Sequence, residues 1–180
     1  MSRLTVHSVE SAPEAARPRV ETAQKNNGFL PNLIGVLANS PAALEMYQEV
    51  GLINGKTSLT PGEREVVQIT AAVDNGCGFC KAGHTALSRK KNLLDDAAIE
   101  ALRDGTALPD PKLEALARFT RAVMLHKGNV PDAQLAAFRA AGYDEAQVLE
   151  VILGVALATL CNYANNIART DINPELQPFA

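Results

Sequence analysis

The stretch TPGEREVVQITAAVDNGCGFCKAGHTAL, from Thr60 to Leu87, decides how the centre of this chain folds. Thr60 is a good helix N-cap, Pro61 suits the first helical position, and Glu63 stands where a capping-box acid reaches back to the cap. Apolar residues then recur at helical spacing over positions 66–73. The pattern predicts a helix with one face packed against the rest of the protein.

A second helix is predicted almost immediately after the first. Asn75 and Gly76 end the first helix, since both residue types tolerate the left-handed conformation of a helix end. Helical pattern resumes at about Gly78, so Cys77 and Cys80 fall on the first turn of the new helix. The two helices are therefore expected to form a hairpin with a CxxC motif at its connection.

This position at a helix N-terminus is expected to make the two cysteines reactive. Free thiols with a pKa near ~8.5 are only slightly ionised at neutral pH, and the thiolate is the reactive form. Unpaired N–H groups and the positive end of a helix dipole stabilise a thiolate at a helix N-terminus. His84 follows Cys80 by four residues and shares its helix face. The spacing indicates a nucleophile beside its base.

Glu65 is the candidate acid that completes the site. Glu63 is already assigned to the cap, whereas Glu65 lies at the edge of the buried stripe. In an antiparallel hairpin, Glu65 would lie about 15 Å from the connection and His84 about 9 Å, at ~1.5 Å per residue. We therefore expect a bridging water or a steep helix crossing between them, not one short hydrogen bond.

A CxxC motif also occurs in sites of a different kind. A structural zinc site needs four ligands, and the motif with His84 supplies three, while Cys161 is distant in an apolar helix. A pair of inert buried cysteines would not need the histidine. A thioredoxin-type site would need strands around it, and the sequence shows no strand pattern.

The spacing Glu65, eleven residues, Cys77, two residues, Cys80, three residues, His84 resembles the AhpD-like alkylhydroperoxidases of the carboxymuconolactone decarboxylase family. The resemblance extends over most of the chain. It implies a thiol-dependent hydroperoxidase in which Cys80 attacks the peroxide, Cys77 resolves the product as a disulfide, and His84 with Glu65 relays protons. Some members carry a histidine just before the second cysteine, where this chain has Phe79.

The resemblance also implies partners. It predicts a hydroperoxide substrate, a lipoylated or thioredoxin-type dithiol donor, and a homo-oligomer, commonly a trimer or hexamer. No metal, flavin or haem is expected. Two alternatives remain: a lactone decarboxylase like the family's namesake, which needs no CxxC, and a non-enzymatic thiol redox switch.

Composition narrows the class of protein further. The 180 residues include 17 basic and 20 acidic side chains, evenly mixed, with a net charge of −3, so nucleic acid and anionic membranes are not expected partners. Hydrophobic residues make up 47% but aromatic ones only 4%, which favours close-packed helices. Three cysteines without an apolar leader are typical of a reducing cytoplasm, the predicted location.

Caps and breaks along the chain predict an all-α single domain over 1–180 with about seven or eight helices. The helical core is expected over 12–170, with extended tails at 1–11 and 171–180. The longest helix, about Glu145 to Ala168, is apolar almost all round in its middle. We expect it either to be central in the fold or to lie against a neighbouring subunit, and to be too short and too polar at its ends for a membrane span. Its asparagines 162, 165 and 166 could line a ligand pocket, but hydrogen bonding at a subunit contact is the expected role, and Cys161 is expected to fill the core.

Overall fold

The structure, a computed structural model, describes residues 2–180, and over that range it is helical without strands. The all-α prediction is confirmed, with nine α-helices and one 3₁₀ helix in the described part of the chain. They are α1 Arg17–Asn27, α2 Asn32–Leu37, α3 Pro41–Asn54, α4 Pro61–Asp74, α5 Gly78–Lys90, α6 Asp96–Asp104, α7 Pro111–Leu125, α8 Asp132–Ala140, α9 Glu145–Ala168 and the 3₁₀ helix Pro174–Phe179.

Helix α4 is the central element of the fold. The Thr60 hydroxyl accepts from the Glu63 N–H at 3.2 Å and the Glu63 carboxylate accepts from the Thr60 N–H at 2.8 Å, so the predicted capping box is present. Every residue from 65 to 72 is buried, because α5, α6, α7 and α9 all pack against this helix. The sequence predicted one buried stripe, whereas neighbours surround almost the whole helix.

The connection between α4 and α5 is a tight turn that fixes both helices. The Gly76 N–H donates to Val73 O at 3.0 Å and the Cys77 N–H donates to Ala72 O at 2.8 Å. This is the Schellman pattern, and Gly76 takes the left-handed conformation it requires, with φ 62°. Asn75 keeps a right-handed conformation. Cys77 thus belongs to the C-terminal cap of α4 and is also the N-cap residue of α5.

Helix α9 packs against α4 and also contacts α2, α3, α5 and α7. Its 24 residues are long and apolar enough to cross a membrane by length and composition alone, so the expectation that it is too short was wrong. In the structure one side of α9 is buried against the same chain, including Val151, Leu157 and Asn162. The opposite side leaves large apolar side chains exposed, among them Leu149, Ile152, Tyr163 and Ile167.

The two tails differ from each other. Described residues 2–11 form no helix and lie against the body of the protein, with the His7 N–H donating to Gly35 O at 3.1 Å. The predicted extended tail at 171–180 is wrong over 174–179, where a 3₁₀ helix forms. It forms because Leu176 is buried and because Arg103 donates to the carbonyl of Phe179 at 2.7 Å.

Candidate functional site

Cys77 occupies the N-cap position of α5. Its Sγ accepts a hydrogen bond from the Cys80 N–H at 3.4 Å, as a capping serine oxygen would. Both sulfurs belong to free thiols, and the two side chains are buried, with 1% and 4% of their surfaces exposed. The turn between α4 and α5 therefore holds the two cysteines side by side on one helical turn.

The two thiols differ in acidity because they share one hydrogen bond. The Cys80 thiol donates to the Cys77 sulfur and lowers the pKa of Cys77 to about 7, helped by the Cys80 N–H, by Asn165 and by the charge of His84. The same bond, with burial and the nearby Cys77 charge, raises the pKa of Cys80. The pair is best treated as a unit that carries one negative charge near neutral pH.

Helix α9 supplies a third group to the pair. The Asn165 Nδ2 donates to the Cys80 Sγ at 3.3 Å, and the Asn165 side chain is buried, with 3% exposed. An amide donor at this distance stabilises a negative charge on Cys80. The negative charge of the pair is therefore stabilised by a hydrogen-bond donor on whichever sulfur carries it. Nothing in the helical spacing of the cysteine motif pointed to Asn165. The available signal was an amide inside an otherwise apolar helix.

The three asparagines of α9 bond within the chain. The Asn162 Oδ1 accepts from the Asn75 side chain at 3.0 Å, and the Asn166 Nδ2 donates to the Asn75 carbonyl at 2.8 Å. Because Asn75 lies directly before the Gly76–Cys77 turn, α9 holds the turn in place. The expected bonds of these amides across a subunit contact stay a prediction.

Glu65 and His84 are in direct contact. The His84 Nδ1 lies 2.9 Å from the Glu65 Oε2, and the Glu65 side chain is buried, with 8% exposed. The Ser88 hydroxyl donates to the same oxygen at 3.4 Å. The expectation that no single short hydrogen bond would join them was wrong. Glu65 does lie level with Ser88, about ten residues from the connection on each helix, and its carboxylate spans the roughly 5.4 Å of one turn back to His84.

This contact sets the state of the imidazole. Burial lowers the pKa of His84, but the Glu65 carboxylate and the Cys77 sulfur charge outweigh burial and raise it. With Nδ1 held as a donor to Glu65, Nε2 is the ring nitrogen free to exchange a proton. No side-chain hydrogen bond joins His84 to either cysteine among residues 2–180, so its influence on the thiols in this state is electrostatic.

The site opens into a cavity of about 580 Å³. Cys80 and His84 form part of its wall, together with Tyr47, Gln68 and Cys161, and most of the remaining lining is apolar. A smaller opening of about 340 Å³ reaches Cys77 beside Arg169 and Thr170. The two sulfurs are therefore approached from different sides, Cys80 from the large apolar cavity and Cys77 from the smaller one.

Cys161 lies in the wall of the large cavity, yet it is a poor nucleophile. Burial and the charge of Cys77 raise the pKa of its thiol to about 12. Among residues 2–180, no group of three or more His, Cys, Asp or Glu side chains is arranged to hold a metal ion. Of the three thiols, Cys77 is the one whose pKa is lowered.

The helical fold is AhpD-like. Residues 41–122, which include Glu65, both cysteines of the CxxC motif and His84, match the model of the carboxymuconolactone decarboxylase family. This match covers somewhat less than half of the 180 residues, so it is a similarity to that family over this segment of the chain. Comparison with curated proteins found no match.

Solved structures share the fold over nearly the whole chain. An uncharacterized peroxidase-related protein from Ralstonia eutropha JMP134, described as an alkylhydroperoxidase AhpD core, superposes with a TM-score of 0.84 at 24% identity, covering 97% of this chain and 94% of its own. A peroxidase-related protein from Silicibacter sp. TM1040 gives 0.81 at 18%, covering 97% and 94%. The debrominase Bmp8, in complex with 2,3,4-tribromopyrrole, gives 0.81 at 14%, covering 99% and 96%.

Proposed function

We propose that this protein is a thiol-dependent hydroperoxidase that uses Cys77 and Cys80 as its redox pair. The observation that carries the proposal is the Glu65–His84 contact of 2.9 Å beside a buried thiol pair that ionises near neutral pH. A thiolate, a base held by a carboxylate and an apolar cavity are what peroxide reduction by a dithiol requires.

The proposed reaction has three balanced steps. The Cys80 thiolate attacks the terminal oxygen of a hydroperoxide, the O–O bond breaks, and the departing oxygen takes a proton to give an alcohol and a Cys80 sulfenic acid. The Cys77 thiol condenses with the sulfenic acid, releasing water and forming a disulfide. An external dithiol of the lipoylated or thioredoxin type then exchanges with the disulfide and restores both thiols.

Acidity and access favour different sulfurs for the first step. Cys77 is the more acidic thiol and carries the negative charge before the reaction. Cys80 is the cysteine of the pair that lines the large apolar cavity, where a peroxide would bind. A shift of the shared proton from Cys80 to Cys77 moves the charge to the sulfur that faces the cavity, where the Asn165 amide supports it. We therefore assign the attack to Cys80 and the smaller opening at Cys77 to the donor dithiol.

Multiple turnover with a donor tests this proposal. The reduced protein, given dihydrolipoamide and tert-butyl hydroperoxide, should consume one donor per peroxide over many cycles. Both Cys77→Ser and Cys80→Ser should abolish turnover, because each removes one half of the disulfide. A protein that forms its disulfide but never turns over is a redox switch, the non-enzymatic alternative.

A lactone decarboxylase is the enzymatic alternative from the same family. That chemistry needs an acid–base pair such as Glu65 and His84 and makes no use of the thiols. Decarboxylation of a carboxymuconolactone by a Cys77→Ser, Cys80→Ser double variant would favour it over the peroxidase.

Reductive dehalogenation is a second candidate, favoured by the apolar cavity beside the dithiol. The debrominase Bmp8 has the same fold and was crystallised with a brominated pyrrole. In the corresponding reaction, two thiols become a disulfide while a haloaromatic compound exchanges its halogen for hydrogen and releases halide and a proton. Bromide release from 2,3,4-tribromopyrrole, with no peroxide consumption, would favour this candidate.

A further inference from the structure

The proposed peroxide reduction needs an acid on the far side of the cavity. A thiolate attacks the O–O bond in line, so the departing oxygen leaves on the side opposite the sulfur. An alkoxide is a strongly basic leaving group, and proton donation to it accelerates such a step by typically ~10²–10⁴-fold. His84 sits on the same helix as Cys80 and serves the thiol. The departing oxygen therefore needs a donor from another element.

Tyr47 of α3 lines the same cavity as Cys80 and His84. Its ring packs on the hydrophobic cluster that contains both cysteines of the motif. Its hydroxyl makes no side-chain hydrogen bond within residues 2–180, whereas the Tyr143 hydroxyl donates to Lys112 O at 3.4 Å. Tyr47 is partly buried, so its unpaired hydroxyl in the cavity wall is open to water and available to a bound ligand.

The electrostatic surroundings keep this hydroxyl protonated. Burial is the largest cause that raises the pKa of Tyr47. Tyr47 therefore holds its proton under the neutral conditions in which the thiol pair carries its charge.

Most other polar groups of the cavity are already engaged, and the Asn26 amide, which makes no side-chain hydrogen bond within residues 2–180, is not an acid. The Gln68 Nε2 donates to Gly154 O at 2.9 Å, and Arg19 at the mouth is paired with Glu45 and Glu49. Phe79, which precedes Cys80 directly, has no proton to give. The donor that the departing oxygen needs is thus found on α3.

We propose, on the basis of the function proposed above, that Tyr47 is the general acid that protonates the departing oxygen of the peroxide. As the S–O bond forms, the O–O electron pair moves to the outer oxygen, which takes the Tyr47 proton and leaves as an alcohol. The tyrosinate then recovers the proton that His84 accepted from the thiol. The sum is one thiol and one hydroperoxide giving a sulfenic acid and an alcohol.

The test compares Tyr47→Phe with the wild-type protein on two oxidants. Peracetic acid releases a weakly basic carboxylate that needs no acid, whereas tert-butyl hydroperoxide releases a basic alkoxide. Second-order rate constants from stopped-flow oxidation of the reduced protein should fall about 10- to 100-fold with the hydroperoxide and less than about twofold with the peracid. Tyr143→Phe, which removes a hydroxyl outside the cavity, should slow neither reaction.

Each outcome has a distinct meaning. An equal loss with both oxidants would show a packing role for Tyr47, and no loss with the hydroperoxide would show that another group is the acid; either result overturns the assignment. If the wild-type protein reacts with neither oxidant, the peroxidase proposal itself fails. An unchanged pH profile of thiol alkylation in Tyr47→Phe checks that the cysteine pair is intact.

Discussion

At the scale of single residues, the contact between Glu65 and His84 adds to the acidity of the thiol pair. The hydrogen bond from the Cys80 thiol lowers the pKa of Cys77 most, and the imidazolium that the Glu65 carboxylate favours lowers it further. Because that pKa is depressed from 9.0 to about 7, the thiolate is present above pH 7 and is lost as the pH falls below it.

Replacing Glu65 with Gln keeps the shape of the side chain and removes its charge. The midpoint of the alkylation rate against pH should rise from about 7 in the wild type. A rise of one unit is about 1.4 kcal/mol and cuts the thiolate fraction at pH 7 about fivefold. The measurement is the pH profile of iodoacetamide labelling.

Glu63→Gln is the matched control for that prediction. Its glutamine can still accept the N-cap hydrogen bond that Glu63 makes with Thr60, and Glu63 does not contact His84. The thiol profile should therefore stay in place. A shift in Glu63→Gln without one in Glu65→Gln would mean that the wrong acid has been assigned to the histidine.

The roles of the two sulfurs give a second prediction at this scale. In Cys77→Ser, peroxide should trap a sulfenic acid on Cys80, because Cys80 faces the large cavity and no thiol remains to resolve it. Dimedone labelling followed by peptide mass mapping identifies the modified sulfur. If peroxide reactivity persists in Cys80→Ser and is lost in Cys77→Ser, the acidity of Cys77 has decided the reaction and the roles are reversed.

At the scale of elements, the α4–α5 turn places the site. Gly76 has φ 62°, and a Cβ there would meet no neighbouring atom, so the cost of a side chain is purely conformational. Gly76→Ala should lower the free energy of unfolding by about 1 kcal/mol, the cost of a left-handed conformation for an L-residue. Chemical denaturation measures this.

Gly78→Ala is the control for the turn. Gly78 begins α5, has open space around its Cβ position and has no positive φ. The alanine should leave stability unchanged or raise it slightly, by at most about 1 kcal/mol. Equal losses in both variants would show that the left-handed conformation of Gly76 is not what limits the turn.

Much of this element-level organisation could be predicted from sequence, because caps and breaks are local signals. The start of α4 was predicted from Thr60, Pro61 and Glu63, and its end from Asn75 and Gly76. The choice of Glu65 as the partner of His84 also followed from helix periodicity. The direct contact did not, because it depends on side-chain reach between two packed helices.

The features that the sequence did not predict are those that depend on contacts between residues far apart in the chain. Asn165 reaches Cys80 from 85 positions away, and no spacing rule connects them. The 3₁₀ helix at 174–179 depends on Arg103 and on a buried Leu176. Two prolines in an aperiodic stretch gave only the prediction of an extended tail.

At the scale of the whole molecule, α9 presents an apolar face with no partner in residues 2–180 of the chain. Leu149, Ile152, Tyr163 and Ile167 have between 43% and 67% of their surfaces exposed and recur along one side of the helix. Such a stripe is typical of an interface between subunits. We therefore propose a homo-oligomer joined partly through α9, with a trimer or hexamer expected from the family resemblance.

Ile152→Glu tests this proposal by placing a charge in the middle of the face. The variant should sediment as a monomer at micromolar concentration where the wild type sediments as an oligomer. Gln134→Glu, an exposed change of charge on α8, should leave the assembly intact. A wild-type protein that is a stable monomer would remove the support for an α9 interface.

The most direct test of the dithiol mechanism is the stoichiometry of a single turnover. The reduced protein, with its three thiols, is mixed with one equivalent of tert-butyl hydroperoxide in a stopped-flow instrument, and thiols are counted under denaturing conditions before and after. The dithiol mechanism predicts rapid loss of two thiols per peroxide consumed, a disulfide between Cys77 and Cys80 on mass mapping, and a free Cys161. Peroxide left unconsumed, or a disulfide that includes Cys161, would contradict it.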